Sequence, residues 1–352
     1  MSRTLEARKK KLMGLANTML LRRERMHDIY EQLRSNLGMP LTDSGGEMEI
    51  LKMLFTKEEA EIAILLTPNL ETVNQLSVKT GIAKGELATI LAYMAEKGTI
   101  WQDKREDEPR YRLMPFVPGI YEAQAMRIDK QQASAFEKIF PELARGMIGL
   151  NMPIMKTLPA EQSISGMEVN PDQKASWWIS QVQTVALTDC ICKKQQKLVG
   201  RGCSRPMDSI CIYLSPWAEF FIDAGIARKA TLAEAVKALE RAENGGLVHM
   251  VYPTSGVPFA ICNCCPDCCL GLRTVTEFNA MPSQMVISDF HSTVDIELCN
   301  GCEACIAICT VSAISMEEER AVVNADRCIG CGLCVLECPE GATSLATRKQ
   351  EV

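Results

Sequence analysis

Apolar residues recur at helical spacing along residues 3–36. Leu12, Met19, Met26 and Leu33 repeat every seven, and Leu15, Ile29, Tyr30 and Leu37 fill a second row. One long helix is predicted there. Arg22 and Arg23 interrupt the second row, which argues against a sustained coiled coil and for packing on the chain's next domain or on a partner subunit. Leu41 to Gly46 is a turn-rich break. Thr56-Lys57-Glu58-Glu59 then has the form of a capping box for a helix through Leu66. A second helix is expected over 71–79, with Gly81 as its turn. A third is expected over 84–97, with Leu87, Ile90, Leu91 and Met94 on one face, stopped by Gly98. Thr99-Ile100-Trp101 and Tyr111-Arg112-Leu113 read as strands flanking a charged tip, residues 103–108.

This order of elements suits a winged helix. Met114 to Gly119 is a connector, followed by helix to about Leu150. Residues 151–173, punctuated by Pro153, Pro159, Gly166 and Pro171, read as a long loop that is functional or wrapped over a partner. Trp177 and Trp178 follow as core or interface anchors. Thr231-Leu232-Ala233-Glu234 caps a helix with Leu232, Ala235, Val236 and Leu239 on one face, ending near Gly245-Gly246. Residues 247–251 read as a strand.

The chain of 352 residues is 47% hydrophobic with an aromatic share of 5%, enough for two or three domains with a substantial core. Its net charge of −6 gives no general support for nucleic-acid binding. The distribution says more. Residues 1–36 carry nine Lys/Arg against four Asp/Glu, whereas 285–352 carries four against eleven. The acidic C-terminal part calls for a basic partner surface. The cluster Arg8, Lys9, Lys10 and Lys11 offers a peripheral contact to anionic lipid. Residues 47–115 hold nine Lys/Arg and twelve Asp/Glu. Lys84, Glu86, Glu96 and Lys97 do not make the basic face that phosphate contact needs, so docking is favoured over DNA reading.

Seventeen cysteines change the picture most. With no signal peptide read at the start and no apolar run of membrane length, they point to a reducing cytoplasm and metal ligation. Cys299, Cys302, Cys305 and Cys309 recur 29 residues later as Cys328, Cys331, Cys334 and Cys338, and the flanks IELCNGCEACIAICTVSAISM and ADRCIGCGLCVLECPEGATSL align. Zinc usually takes two CxxC pairs instead, and a disulfide framework belongs to short secreted chains. Three thiolates on a tight loop reach three corners of a cubane, and the next turn carries the fourth away to the other cluster. Cys299, Cys302, Cys305 and Cys338 are therefore assigned to one [4Fe–4S] cluster, and Cys328, Cys331, Cys334 and Cys309 to the other. The segment resembles bacterial-type two-cluster ferredoxins. Pro339 follows Cys338 as that family has it, whereas Thr310 follows Cys309, a change that removes no ligand.

A second region carries nine more: Cys190, Cys192, Cys203, Cys211, Cys262, Cys264, Cys265, Cys268 and Cys269. A free cysteine is often a small buried hydrophobe, but nine in 80 residues beside Gly and Pro cannot all be that. One or two further [4Fe–4S] clusters are expected here, with zinc as the alternative. His249 reads as structural more readily than as a ligand. The region looks similar to cysteine-rich segments of electron-transfer proteins in strictly anaerobic microbes.

The expected fold is α+β and multidomain. It comprises an N-terminal helix (1–45), a winged-helix-like domain (46–118), a helical connector and long loop (119–180), a cysteine-rich iron–sulfur α/β domain (181–284) and a bacterial ferredoxin-like 2[4Fe–4S] domain (285–352). There is no dinucleotide fingerprint, P-loop or GxSxG elbow, and no catalytic group stands out. An electron-transfer subunit of an oxidoreductase complex is the expected function. A redox-sensing winged-helix regulator, or an enzyme with a substrate-binding cluster in 190–269, are the alternatives.

Overall fold

The computed structural model describes residues 29–151 and 153–348, which fall into two compact units meeting at Ile120 and Tyr121. Residues 3–28 of the long N-terminal helix lie outside the described residues. Helix α1 covers residues 29–36, and there Tyr30, Leu33 and Leu37 are buried, with the Tyr30 hydroxyl donating to the Phe55 carbonyl at 3.0 Å.

The first unit continues with α2 (Gly46–Leu54), α3 (Lys57–Ala63), β1 (Glu71–Thr72), α4 (Val73–Thr80), α5 (Lys84–Glu96), β2 (Trp101–Asp103) and β3 (Arg110–Arg112). The Thr56 capping box is present, and a second starts α4, where the Thr72 hydroxyl accepts from Gln75 N. That cap sets the helix start at Val73 and leaves Glu71 and Thr72 extended. They join an antiparallel three-stranded sheet in the order β1-β3-β2. Strand β2 begins two residues later than the sequence suggests. Thr99 is occupied with the end of α5, its hydroxyl donating to the Met94 carbonyl at 2.9 Å. The Arg112 guanidinium lies 4.8 Å from the centre of the Trp101 ring, a cation–π contact that stiffens the hairpin.

The second unit comprises α6 (Tyr121–Ala123), α7 (Lys130–Leu150), β4 (Met155–Leu158), α8 (Ala175–Ser180), β5 (Val185–Thr188), α9 (Ile191–Leu198), β6 (Cys211–Leu214), α10 (Trp217–Asp223), β7 (Arg228–Ala230), α11 (Leu232–Asn244), β8 (Val248–Val251), β9 (Ala260–Cys264), α12 (Leu270–Glu277), β10 (Val286–Ile287), β11 (Phe290–Val294), α13 (Ala304–Ile308), β12 (Ile314–Glu317), β13 (Arg320–Val323), α14 (Leu333–Glu337) and β14 (Thr343–Thr347). Seven strands form one sheet, in the order β10-β4-β8-β9-β6-β5-β7. Only the β10–β4 pair is parallel.

Two differences from the sequence reading matter. The stretch expected as a loop over 151–173 contains β4, which sits inside the sheet between β8 and β10. Pro153 and Pro159 flank it and mask a four-residue strand whose backbone is satisfied on both sides. In addition, Val286 and Ile287, expected in the C-terminal domain, extend the large sheet instead. One face of that sheet packs Leu158, Val185, Leu187, Leu214 and Ile261 against Ile179 and Leu239 of α8 and α11. The other packs Met155, Val248, Met250 and Cys264 against Leu272 and Val275 of α12. Beyond the sheet, β11 pairs with β14, and β12 with β13, around α13 and α14. Among the described residues no helix is long and apolar enough to cross a membrane.

Candidate metal centres

The repeated cysteine loops wrap two cavities. One is lined by Cys299, Cys302, Cys305 and Cys338. The other is lined by Cys309, Cys328, Cys331 and Cys334. Each cavity draws three thiols from one repeat and one from the other. Short helices α13 and α14 carry the chain across, and both start from a residue at positive φ, Glu303 (61°) and Gly332 (76°). Backbone amides point at the sulfurs. Ala313 N lies 3.2 Å from Cys309 Sγ, and Ala342 N 3.2 Å from Cys338 Sγ, each four residues past its crossing cysteine. Ser292 N and Gly330 N donate to Cys328 Sγ at 3.3 and 3.4 Å.

These surroundings fit a cationic metal core. Burial pushes the Cys331 thiol well up, and pushes Cys334 up to about 11 despite its contact with the Ser292 hydroxyl. A buried thiolate needs a positive partner, which a bound metal provides. Thr310 lines the second cavity and buries a hydroxyl oxygen that has no hydrogen-bond partner among the described residues. It stands where the other repeat has Pro339, and an unsatisfied buried hydroxyl is costly unless something else accepts from it. The first cavity is the outer one, with Cys302 exposed and Glu303 and Glu340 on its rim. The second lies deeper. Cys309, Cys328 and Cys331 pack against the apolar core that contains Cys264 and Cys269. Cys305 and Cys334 share a smaller core between the two cavities.

The nine remaining cysteines, from both sequence patches, come together at one end of the large sheet. Cys190 and Cys269 are the N-caps of α9 and α12, Cys211 opens β6, and Cys262 and Cys264 lie on β9. Cys192 and Cys211 donate to Cys190 and hold its thiol well below the ordinary range, with the Lys193 charge adding to the effect. Cys264 donates to Cys269 likewise, which lowers that thiol too. The remaining three, Cys203, Cys265 and Cys268, form a compact triad. Burial also holds the Tyr121, Tyr213 and Tyr252 phenols well above their ordinary pKa, with nearby thiols adding.

Lys193 is buried among these sulfurs, 3% exposed, with Nζ donating to the Asn263 carbonyl at 2.9 Å. Burial alone would lower its pKa, but the charges of Cys190, Cys265, Cys264 and Cys211 raise it. The sequence reading passed over Lys193. Its place directly after the CxC pair was the available signal. His249 faces Asn263 Oδ1 at 2.5 Å and Glu243 Oε1 at 3.1 Å. Both ring nitrogens are used, so it is a bridge between β8, β9 and α11 and not a ligand.

An ion-pair hub holds the two cysteine-bearing helices in place. Arg273 of α12, with no exposed side-chain surface, is forked onto Glu137 of α7 at 2.6 and 3.1 Å and onto Glu277 at 2.8 and 3.0 Å, 3.8 Å over the Phe140 ring. Glu137 also accepts from Gln195 and Gln196 of α9 and from Arg201 at 3.1, 2.6 and 2.8 Å. Although burial opposes it, these donors hold the Glu137 carboxyl below the usual range. No spacing rule in the sequence pairs residues 136 positions apart.

No curated protein matches the chain. Residues 298–342 match the model of the 4Fe-4S dicluster domain family, so the C-terminal segment is a ferredoxin-type 4Fe–4S dicluster domain.

Proposed function

We propose that the chain is an electron-relay subunit of a larger oxidoreductase, with two [4Fe–4S] clusters in the C-terminal domain and further iron–sulfur ligation in the middle region. The 4Fe–4S dicluster domain supports an iron–sulfur electron-transfer role. The observation that carries the fuller reading is continuity. The outer cavity, the inner cavity and the Cys262/Cys264/Cys269 group adjoin one another through shared apolar cores. A bound cubane supplies one-electron chemistry at a potential set by its hydrogen bonds and exposure. The chain's own part is to fix the thiolates, exclude water from the inner site and present the outer site to a carrier. In this reading Cys299, Cys302, Cys305 and Cys338 hold the outer cluster, and Cys309, Cys328, Cys331 and Cys334 the inner one. Cys190, Cys192, Cys211, Cys262, Cys264 and Cys269 serve the middle region.

The part of the first unit formed by α3, α4, α5 and the three-stranded sheet is read as a winged helix used for docking. That topology also favours a DNA-reading regulator, but nine Lys/Arg against twelve Asp/Glu over 47–115 deny it the counterion-release contribution to affinity. A gel shift with the full chain at low salt, with and without residues 1–36, separates the two. Tight binding that survives the deletion favours the regulator.

In this reading the docking face for a basic carrier lies around the outer site. The Glu319 carbonyl is so close to Gly301 that a Cβ there would stand 2.6 Å from it, which brings Glu317, Glu318 and Glu319 beside Glu303 and Glu340. Charge steering weakens steeply with ionic strength. Dithionite-reduced full chain should pass electrons to its carrier faster at low salt, and converting Glu317, Glu318 and Glu319 to Lys should slow that transfer. Transfer indifferent to both salt and charge reversal contradicts the docking face. Turnover of a small substrate by the isolated chain with only an artificial donor contradicts the relay.

A further inference from the structure

Other thiols of the middle region approach one another in pairs, whereas Cys203, Cys265 and Cys268 come together as three. Their three sulfurs lie within 4.8 Å of one another, and among the described residues no other three His, Cys, Asp or Glu ligand atoms are gathered so closely into a candidate metal site. Cys203 Sγ is 3.8 Å from Cys265 Sγ and 3.6 Å from Cys268 Sγ. A tetrahedral metal with metal–sulfur bonds of about 2.3 Å places its ligand sulfurs about 3.8 Å apart. A cubane distributes its thiolates over separate iron corners and holds them wider. The two C-terminal quartets, which belong to the dicluster domain, line separate cavities and contain no such triad.

The local chain agrees with this spacing. Cys265-Pro266-Asp267-Cys268 is a CxxC turn, the spacing that single tetrahedral metals favour. The loop bearing Cys203 is fixed to that turn by the Arg205–Asp267 ion pair. On its other side the Arg201 guanidinium pairs with Glu137 at 2.8 Å and with Glu277 at 2.6 Å. The triad is thus held before any metal arrives. Cys265 and Cys268 are each 1% exposed, while Cys203 is half-buried and faces outward. An ion with three protein ligands in tetrahedral geometry takes its fourth ligand from solvent.

We propose that Cys203, Cys265 and Cys268 bind one divalent metal ion, Zn2+ or Fe2+, as a tetrahedral centre without sulfide, separate from every iron–sulfur cluster of the chain. Binding converts the three thiols to thiolates and releases their protons to solvent. The site does not depend on the electron-relay reading. It divides the nine middle cysteines into six that serve clusters and three that serve a single ion.

Metal and acid-labile sulfide analysis of the full chain, purified without oxygen, tests this with Cys203→Ser and Cys268→Ser. The expected result is the loss of one metal ion per chain with sulfide unchanged. Loss of about four iron together with about four sulfide overturns the proposal, as does metal content identical to that of the unaltered chain. If the variants do not accumulate, the unaltered chain is produced with Co2+ in place of Zn2+. Intense tetrahedral cobalt–thiolate bands support the site, and their absence overturns it.

Discussion

The ammonium of Lys193 donates to the Asn263 carbonyl at 2.9 Å, joining α9 to β9 through the middle of the cysteine cluster. A lysine this buried stays charged only where negative charge surrounds it, and four thiols raise its pKa against the effect of burial. The lysine and the thiolates stabilise one another's charged forms.

Replacing Lys193 by Met should therefore make the middle region harder to reduce. Losing one nearby positive charge is expected to lower a cluster potential by on the order of 60 mV, a tenfold change in the one-electron equilibrium. Lys193→Arg keeps the charge and should stay close to the unaltered chain. A redox titration followed by electron paramagnetic resonance reads the difference. Equal potentials in Lys193→Met and the unaltered chain would show that the ammonium serves packing alone.

Arg273→Met leaves Glu137 and Glu277 with only the more exposed Arg201 guanidinium between them. Breaking a buried pair from one side typically costs about 3–5 kcal/mol, whereas replacing both members by apolar residues can be nearly neutral. The single variant should show a markedly lower unfolding midpoint under anaerobic conditions and should lose metal from the middle region first. Glu137→Leu combined with Arg273→Met should recover part of the midpoint. A single variant as stable as the unaltered chain would mean that the hub does not hold α7, α9 and α12 together.

A Cβ on Gly332 would stand 2.0 Å from Ser163 Oγ. The corresponding position in the first repeat is Glu303, exposed and also at positive φ. The repeat is thus symmetric in backbone and asymmetric in its neighbours, because Ala160 N donates to the Cys331 carbonyl and Ser163 sits against Gly332. Gly332→Ala should weaken iron retention at the inner site, and Ser163→Gly should rescue it by removing the obstructing hydroxymethyl group. Glu303→Gly should stabilise by about 1–2 kcal/mol, the cost of left-handed backbone for an ordinary residue. Failure of the rescue would assign the Gly332 effect to backbone strain alone.

The sequence carried most of what local rules can carry. The caps at Thr56 and Thr231 are where the pattern puts them, and the eight C-terminal cysteines line two cavities. Each of these rests on spacing within a few turns of chain. What escaped depends on distant partners. Strand β4 is only four residues long and is a strand because β8 and β10 flank it. Lys193 looks like an ordinary surface lysine until Cys264 and Cys265 fold beside it from 71 and 72 residues away. The separation of Cys203, Cys265 and Cys268 from the other six is a property of sulfur–sulfur distances that no linear spacing encodes.

The crossed ligation makes a prediction that simple pairing of each repeat with its own cluster does not. Cys309 belongs to the first repeat by sequence but lines the cavity of the second, with Cys328, Cys331 and Cys334. Cys309→Ser and Cys331→Ser should then damage one site, and Cys302→Ser and Cys309→Ser should damage two. In the full chain prepared without oxygen, the Cys309→Ser/Cys331→Ser double variant should lose about four iron atoms, no more than the worse single variant. The Cys302→Ser/Cys309→Ser double variant should lose about eight. If each repeat served its own cluster, the two outcomes would be exchanged, and iron content alone would reveal it.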